Sequence, residues 1–114
     1  MKIVILEANS LGQDVGLKAF EKLGEVVIYG QSNALDTPEK IKDADVIVVN
    51  KVPMNEQTLG AAKKLKMIAI TATGYNIVDK AYTDSRKIAV ANVSGYSTES
   101  VAQHTFALAL YLVN

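Results

Sequence analysis

The sequence predicts an α/β domain built on a five-stranded parallel sheet of strand order 2-1-3-4-5. Three observations carry this. Five apolar runs of strand length recur along the chain, over residues 2–6, 25–29, 45–49, 67–70 and 88–91. They are rich in Val and Ile and largely unbroken by polar residues, as strands buried on both faces are. Between them lie helix-like segments, and strands alternating with helices imply right-handed crossovers and a parallel sheet with helices on both faces. With 114 residues the chain suits one domain, residues 1–114, with a real core.

The first helix is expected over residues 14–23, where Val15, Leu17, Phe20 and Leu23 fall at amphipathic spacing and Gly24 serves as C-cap. A short helix over 38–42 is opened by Asp36 or Thr37 as N-cap, with Pro38 in its first turn. The next, over 55–64, starts at the Asn55 cap and turns Leu59 and Ala62 inward. Residues 78–85 form a short helix with Asp79 near its start, where a carboxylate suits the helix dipole. Ser97 or Thr98 caps a last helix that runs to about Leu112. The resulting pattern is that of a flavodoxin-like three-layer sandwich.

The last helix is unusual. Val101, Ala102, Phe106, Leu108, Leu110, Leu112 and their neighbours make it apolar nearly all round. Such a helix expects burial on every side, which a single surface helix of a small domain does not offer. A missing partner is implied, and a homodimer through residues 98–112 is expected.

Composition excludes several classes. Twelve basic and twelve acidic residues cancel, so there is no electrostatic footprint for nucleic acid or an anionic membrane. No stretch approaches the roughly 18 apolar residues of a membrane span. Without cysteine there is neither disulfide nor thiol chemistry. The start, Met1-Lys-Ile-Val-Ile-Leu6, is too short for a signal peptide, so a cytoplasmic location is expected. A single histidine, His104, and no cysteine argue against a zinc site, and no metal is expected.

Chemistry concentrates at the carboxyl ends of the later strands, the edge where open α/β sheets bind ligands. Thr71-Ala-Thr-Gly-Tyr-Asn-Ile-Val-Asp79 follows the fourth strand. The N–H groups of Thr73, Gly74 and Tyr75 suit a carboxylate or phosphate, and Gly74 permits close approach or positive φ. The plain alternative is an ordinary strand-to-helix turn. Lys51 ends the third strand and either places an ammonium over the same crevice or is a solvated loop lysine. Gly95-Tyr96-Ser97-Thr98 follows the fifth strand; its hydroxyls either meet a ligand or cap the helix, and Tyr96 is harder to explain as a cap residue. Ser100 and His104 share a helical face, but no G-x-S-x-G elbow supports a nucleophile. No G-x-G-x-x-G is present: Gly12 and Gly16 do not make one.

Taken in order, Val49-Asn-Lys-Val-Pro53, Thr71 to Asp79 and Asn92-Val-Ser-Gly-Tyr-Ser-Thr-Glu-Ser-Val-Ala-Gln-His104 resemble the N-terminal part of the D-isomer-specific 2-hydroxyacid dehydrogenases, nearest the glycerate dehydrogenase/hydroxypyruvate reductase branch. The resemblance covers essentially the whole chain. It implies the substrate (catalytic) domain of an enzyme that reduces 2-oxo acids to D-2-hydroxy acids with NAD or NADP, whose dinucleotide-binding Rossmann domain is absent here. By that resemblance Thr73 and Gly74, with Tyr75 beside them, hold the substrate carboxylate. Tyr96 reaches the substrate and Lys51 flanks it. Thr98 and Val101 touch the nicotinamide end of the cofactor. The family's catalytic Arg, Glu and His have no counterpart in this chain, since Arg86 and His104 do not match those positions. Ser94 stands where the family commonly has Pro, which loosens that loop. The chain therefore reads as a truncated domain, catalytically silent alone and with no cofactor bound to it. An alternative of another class is a stand-alone flavodoxin-like binding or dimerisation module without enzymatic role, which bound flavin absorbance would favour.

Overall fold

The computed structural model describes residues 1–113; Asn114, the last residue of the expected domain, lies outside the described residues. Five strands, β1 (Lys2–Ile5), β2 (Glu25–Ile28), β3 (Val46–Val49), β4 (Met67–Ile70) and β5 (Ala89–Ala91), form one sheet in the order β2-β1-β3-β4-β5. Every neighbouring pair is parallel, and Ile3 stands between Val26 on β2 and Val46 on β3. The expected strands and their order are all present. Burial on both faces holds only at the centre. The β1 and β3 strands are buried along most of their length, whereas edge strands β2 and β5 have no fully buried residue.

Alternation along the strands sends side chains to two unlike faces. On the first, Val4, Leu6, Ile47, Val49, Ile68 and Ile70 pack with Ile41, Leu59 and Tyr82. Those three come from α1 (Thr37–Ile41), α2 (Glu56–Leu59) and α3 (Lys80–Ser85). Ile47, Ile68 and Leu59 are wholly buried, each contributing about 1.5–3 kcal/mol through removal of apolar surface from water. The second face is thin. Ile3, Ile5 and Val48 lie beneath Leu17 and Phe20 from the β1–β2 connection. Beside them an apolar groove of about 300 Å³ stays open between Ile3, Phe20, Val46, Val48, Met67 and Ala69.

Two predicted helices are corrected. Over residues 14–23 there is no α-helix, only a 3-10 turn at Lys18–Lys22, preceded by another at Ala8–Leu11. Val15 and Leu23 are exposed, so the amphipathic stripe is only half used. Gly16 lowers helix propensity, and a ten-residue helix is marginal without a full packed face. Gly24 serves a different purpose from capping: a Cβ there would lie 2.2 Å from the Met1 carbonyl oxygen, against which β2 begins. The helix expected over 55–64 spans only Glu56–Leu59. Asn55 caps it as expected, in a reciprocal box with Thr58. It stops because the Leu59 carbonyl is taken by Ala62 N–H and by the Arg86 guanidinium. Leu59 and Ala62 are buried as the spacing predicts.

The last helix, α4 (Thr98–Val113), has no buried residue. Phe106, Leu110 and Leu112 are 70%, 65% and 81% exposed. It stands away from the sheet rather than folding back on it: the radius of gyration is 16.4 Å, against about 13 Å for a compact chain of this length. Among the described residues no helix is long and apolar enough to cross a membrane.

Candidate functional site

The site is assembled from loops at the carboxyl edge of the sheet. Parallel strands deliver β1, β3, β4 and β5 to that edge side by side, so segments far apart in sequence meet there. Lys51 is the second residue after β3 and is exposed. Its ammonium is in no ion pair among the described residues; the salt bridges formed are Lys40–Asp36, Lys42–Glu39 and Lys80–Asp84.

After β4, Thr73, Gly74 and Tyr75 are exposed, and among the described residues their N–H groups donate to no protein acceptor. The loop carrying them is held from both sides. On the β3 side, the Asn50 amide donates to the Thr71 carbonyl at 3.2 Å and to its hydroxyl at 3.1 Å. Met54 N–H donates to Ile77 O at 2.8 Å, and Asp79 N–H returns to Met54 O at 2.9 Å. On the β5 side, Val93 N–H donates to Ala72 O at 3.0 Å and the Asn92 amide donates to Thr73 O. The same Asn92 amide reaches the Ser94 hydroxyl at 3.4 Å, a contact that proline at this position cannot make. The result is a braced turn whose exposed N–H groups at Thr73, Gly74 and Tyr75 are left without a protein acceptor among the described residues.

Of the two roles expected of Gly74, positive φ is not used. A Cβ there would sit 3.4 Å from the Asn76 amide oxygen, an ordinary contact. The glycine that needs the left-handed region is Gly95, at φ +73°. It turns the chain between β5 and α4 and places Tyr96, which is 65% exposed, over the edge. Tyr96 lines an open cleft of about 400 Å³ with Ser10, Leu11, Thr71 and Val93. Ser97 is the N-cap residue of α4, since its carbonyl accepts the first helical bond from Val101 at 2.8 Å. Thr98 and Val101 lie exposed on the first turn of α4. The β4 and β5 loops thus come together with the Lys51 loop at one edge, and Thr98 and Val101 stand just outside it.

Glu7 belongs to this edge and carries no motif. At the end of β1, its Oε2 accepts the N–H of Asn50 at 2.6 Å, of Lys51 at 2.8 Å and of Val52 at 3.3 Å. The only sequence signal is an acidic residue directly after an apolar strand. Arg86 and His104 are outside the site. Arg86 donates to Leu59 O, Ala62 O and the Tyr82 hydroxyl, and His104 is exposed on α4. No hydrogen bond joins Ser100 to His104 among the described residues.

Residues 3–109 match the family described as D-isomer specific 2-hydroxyacid dehydrogenase, catalytic domain. A hydroxypyruvate reductase of Blautia hydrogenotrophica is 38% identical over 98% of this chain and 35% of that protein. A glycerate dehydrogenase of Methylorubrum extorquens is 35% identical over 94% of this chain and 34% of that protein. The solved D-lactate dehydrogenase from Aquifex aeolicus, complexed with NAD and lactic acid, superimposes with a TM-score of 0.82 at 28% identity, over 99% of this chain and 34% of that one. The chain spans about a third of the length of the relatives it matches. With its sheet order, its loop motifs and these relatives in agreement, the chain belongs to the D-isomer specific 2-hydroxyacid dehydrogenase family, in its catalytic domain.

Proposed function

We propose that this chain forms the acid-binding wall of an NAD(P)-dependent D-2-hydroxyacid dehydrogenase that reduces a small 2-oxo acid to its D-2-hydroxy acid. The observation that carries this is the set of outward N–H groups of Thr73, Gly74 and Tyr75, braced by Asn50 and Asn92. A substrate carboxylate accepts these N–H groups. Lys51 adds positive charge beside it, and Tyr96 closes over the acid from the β5 loop. Charge-assisted bonds to a pre-oriented backbone hold the acid in one attitude.

The nicotinamide cofactor supplies the hydride in the parent reaction. Thr98 and Val101 are open to its ring, but the chain has no Gly-rich phosphate loop. The residues present therefore do not fit a whole dinucleotide, and the chain's own share is to bind and orient the acid. Alone it neither binds NAD(H) tightly nor turns over hydroxypyruvate. The partners are the small 2-oxo or 2-hydroxy acid, the Rossmann domain of the parent, and a second copy through α4, whose exposed apolar side chains favour association. The cytoplasm is the proposed location.

NMR titration with glyoxylate or tartronate tests the site. Thr73, Gly74 and Tyr75 amides are expected to move, with weak affinity because one wall of the cleft is open to solvent. Movement confined to other regions refutes the assignment, and turnover of hydroxypyruvate with NADH by the pure chain refutes the proposed inactivity.

A further inference from the structure

The loop after β3 presents three consecutive N–H groups that converge on one point, and the point is filled from within. Glu7 Oε2 accepts from Asn50, Lys51 and Val52 at 2.6, 2.8 and 3.3 Å. Three converging backbone donors make a nest for an anion, and bonds to a carboxylate are about twice as strong as those between neutral groups. Glu7 comes from the end of a different strand, 43 residues away from Asn50. Two consequences follow. Oε2 is taken by the backbone and the carboxylate forms no ion pair with Lys51, whose ammonium is unpaired among the described residues. The backbone from which Lys51 extends is tied down at Lys51 itself and at both neighbours. The Asn50 amide bonds Thr71, so the Lys51 loop lies beside the β4 loop that carries the free N–H groups.

We propose that Glu7 is a positioning residue for acid binding: by gripping the 50–52 backbone it sets Lys51 beside the Thr73–Tyr75 N–H groups. The proposal rests on the carboxylate-site reading above, with Glu7 acting only through Lys51 and not touching the acid.

A double-mutant cycle on the whole chain, read by glyoxylate titration of the backbone amides, tests it. Lys51→Met is expected to weaken glyoxylate binding about two- to fivefold, the value of an exposed charge pair. Glu7→Ala is expected to weaken it by a similar factor and to move the amides of Asn50, Lys51 and Val52. Glu7→Asp, which keeps the charge but shortens the reach, is expected to do the same and serves if the alanine variant does not fold. The diagnostic result is the double variant: Glu7→Ala on Lys51→Met should bring no further loss, because residues acting as one unit are not additive. An equal additional loss in the Lys51→Met background overturns the proposal. So does undiminished binding in Glu7→Ala or Glu7→Asp while Thr73 and Gly74 still respond. If those amides fail to respond in the unsubstituted chain, the carboxylate-site reading falls and this proposal falls with it.

Discussion

Arg86 is the only arginine of the chain, and its guanidinium is used in the fold. It donates to Leu59 O at 2.7 Å, Ala62 O at 2.6 Å and the Tyr82 hydroxyl at 3.0 Å, while stacking over the Tyr82 ring. Arg86→Ala is expected to cost about 1–3 kcal/mol by leaving these acceptors unmet. Urea unfolding checks it, and Arg86→Lys should restore less than half, because an ammonium lacks the fork. At the opposite edge from the site, the Lys2 N–H held at 2.8 Å lowers the Asp45 carboxyl below its ordinary value of 3.8, with Lys66, the N-terminal amine and Lys64 assisting. Asp36 is lowered likewise, by the Asn33 N–H first and then by Lys40. A folded pKa below the unfolded one contributes stability that is present above pH 3.8 and lost as pH falls through the folded value. The urea midpoint should therefore fall on acidification below about pH 4, and more shallowly in Asp45→Asn. An unchanged acid limb in that variant would remove Asp45 from the account.

At the scale of elements, the glycines of the two site loops should part company. Gly95→Ala forces an L-residue to φ +73°, at a cost of about 1–2 kcal/mol. Gly74→Ala should stay within about 0.5 kcal/mol in stability, yet weaken glyoxylate, because in the proposed site the new methyl group meets the bound acid. Thermal melts and the amide titration separate the two effects; equal destabilisation by both would contradict the geometry. The end of α3 shows the reverse case. Lys87 closes it at φ +56°, a left-handed position that favours glycine. Lys87→Gly is expected to raise stability by about 0.5–1 kcal/mol, seen as a higher urea midpoint.

For the whole molecule, α4 is the dominant irregularity. Phe106, Leu108, Leu110 and Leu112 are exposed on a helix that stands off the sheet. Burying each such side chain contributes about 1.5–3 kcal/mol, and copies without net charge do not repel. Light scattering across a concentration series is expected to show a dimer. The paired change Phe106→Lys and Leu110→Lys, one helical turn apart on one face, should shift it toward monomer. A strictly monomeric mass at high concentration would refute association.

The sheet was readable from the chain because parallel strands are short apolar runs, Val/Ile-rich where they are buried at the centre, and five such runs leave few ways to connect them. The Asn55 cap was equally readable, since it acts within three residues of itself, whereas Asp79, read as a carboxylate inside the first turn, is the N-cap of α3. The positions of Lys51, Thr73 to Tyr75 and Tyr96 followed from strand ends alone. Helix length did not. The 14–23 segment formed no α-helix, with Gly16 lowering its propensity and an apolar groove left open on the second face, and α2 ended where Arg86, from another element, took the Leu59 carbonyl. Glu7 is the clearest case of what tertiary structure decided. Its partners are three backbone N–H groups on a loop that only the β1–β3 pairing brings within reach, and backbone donors have no letter in the sequence.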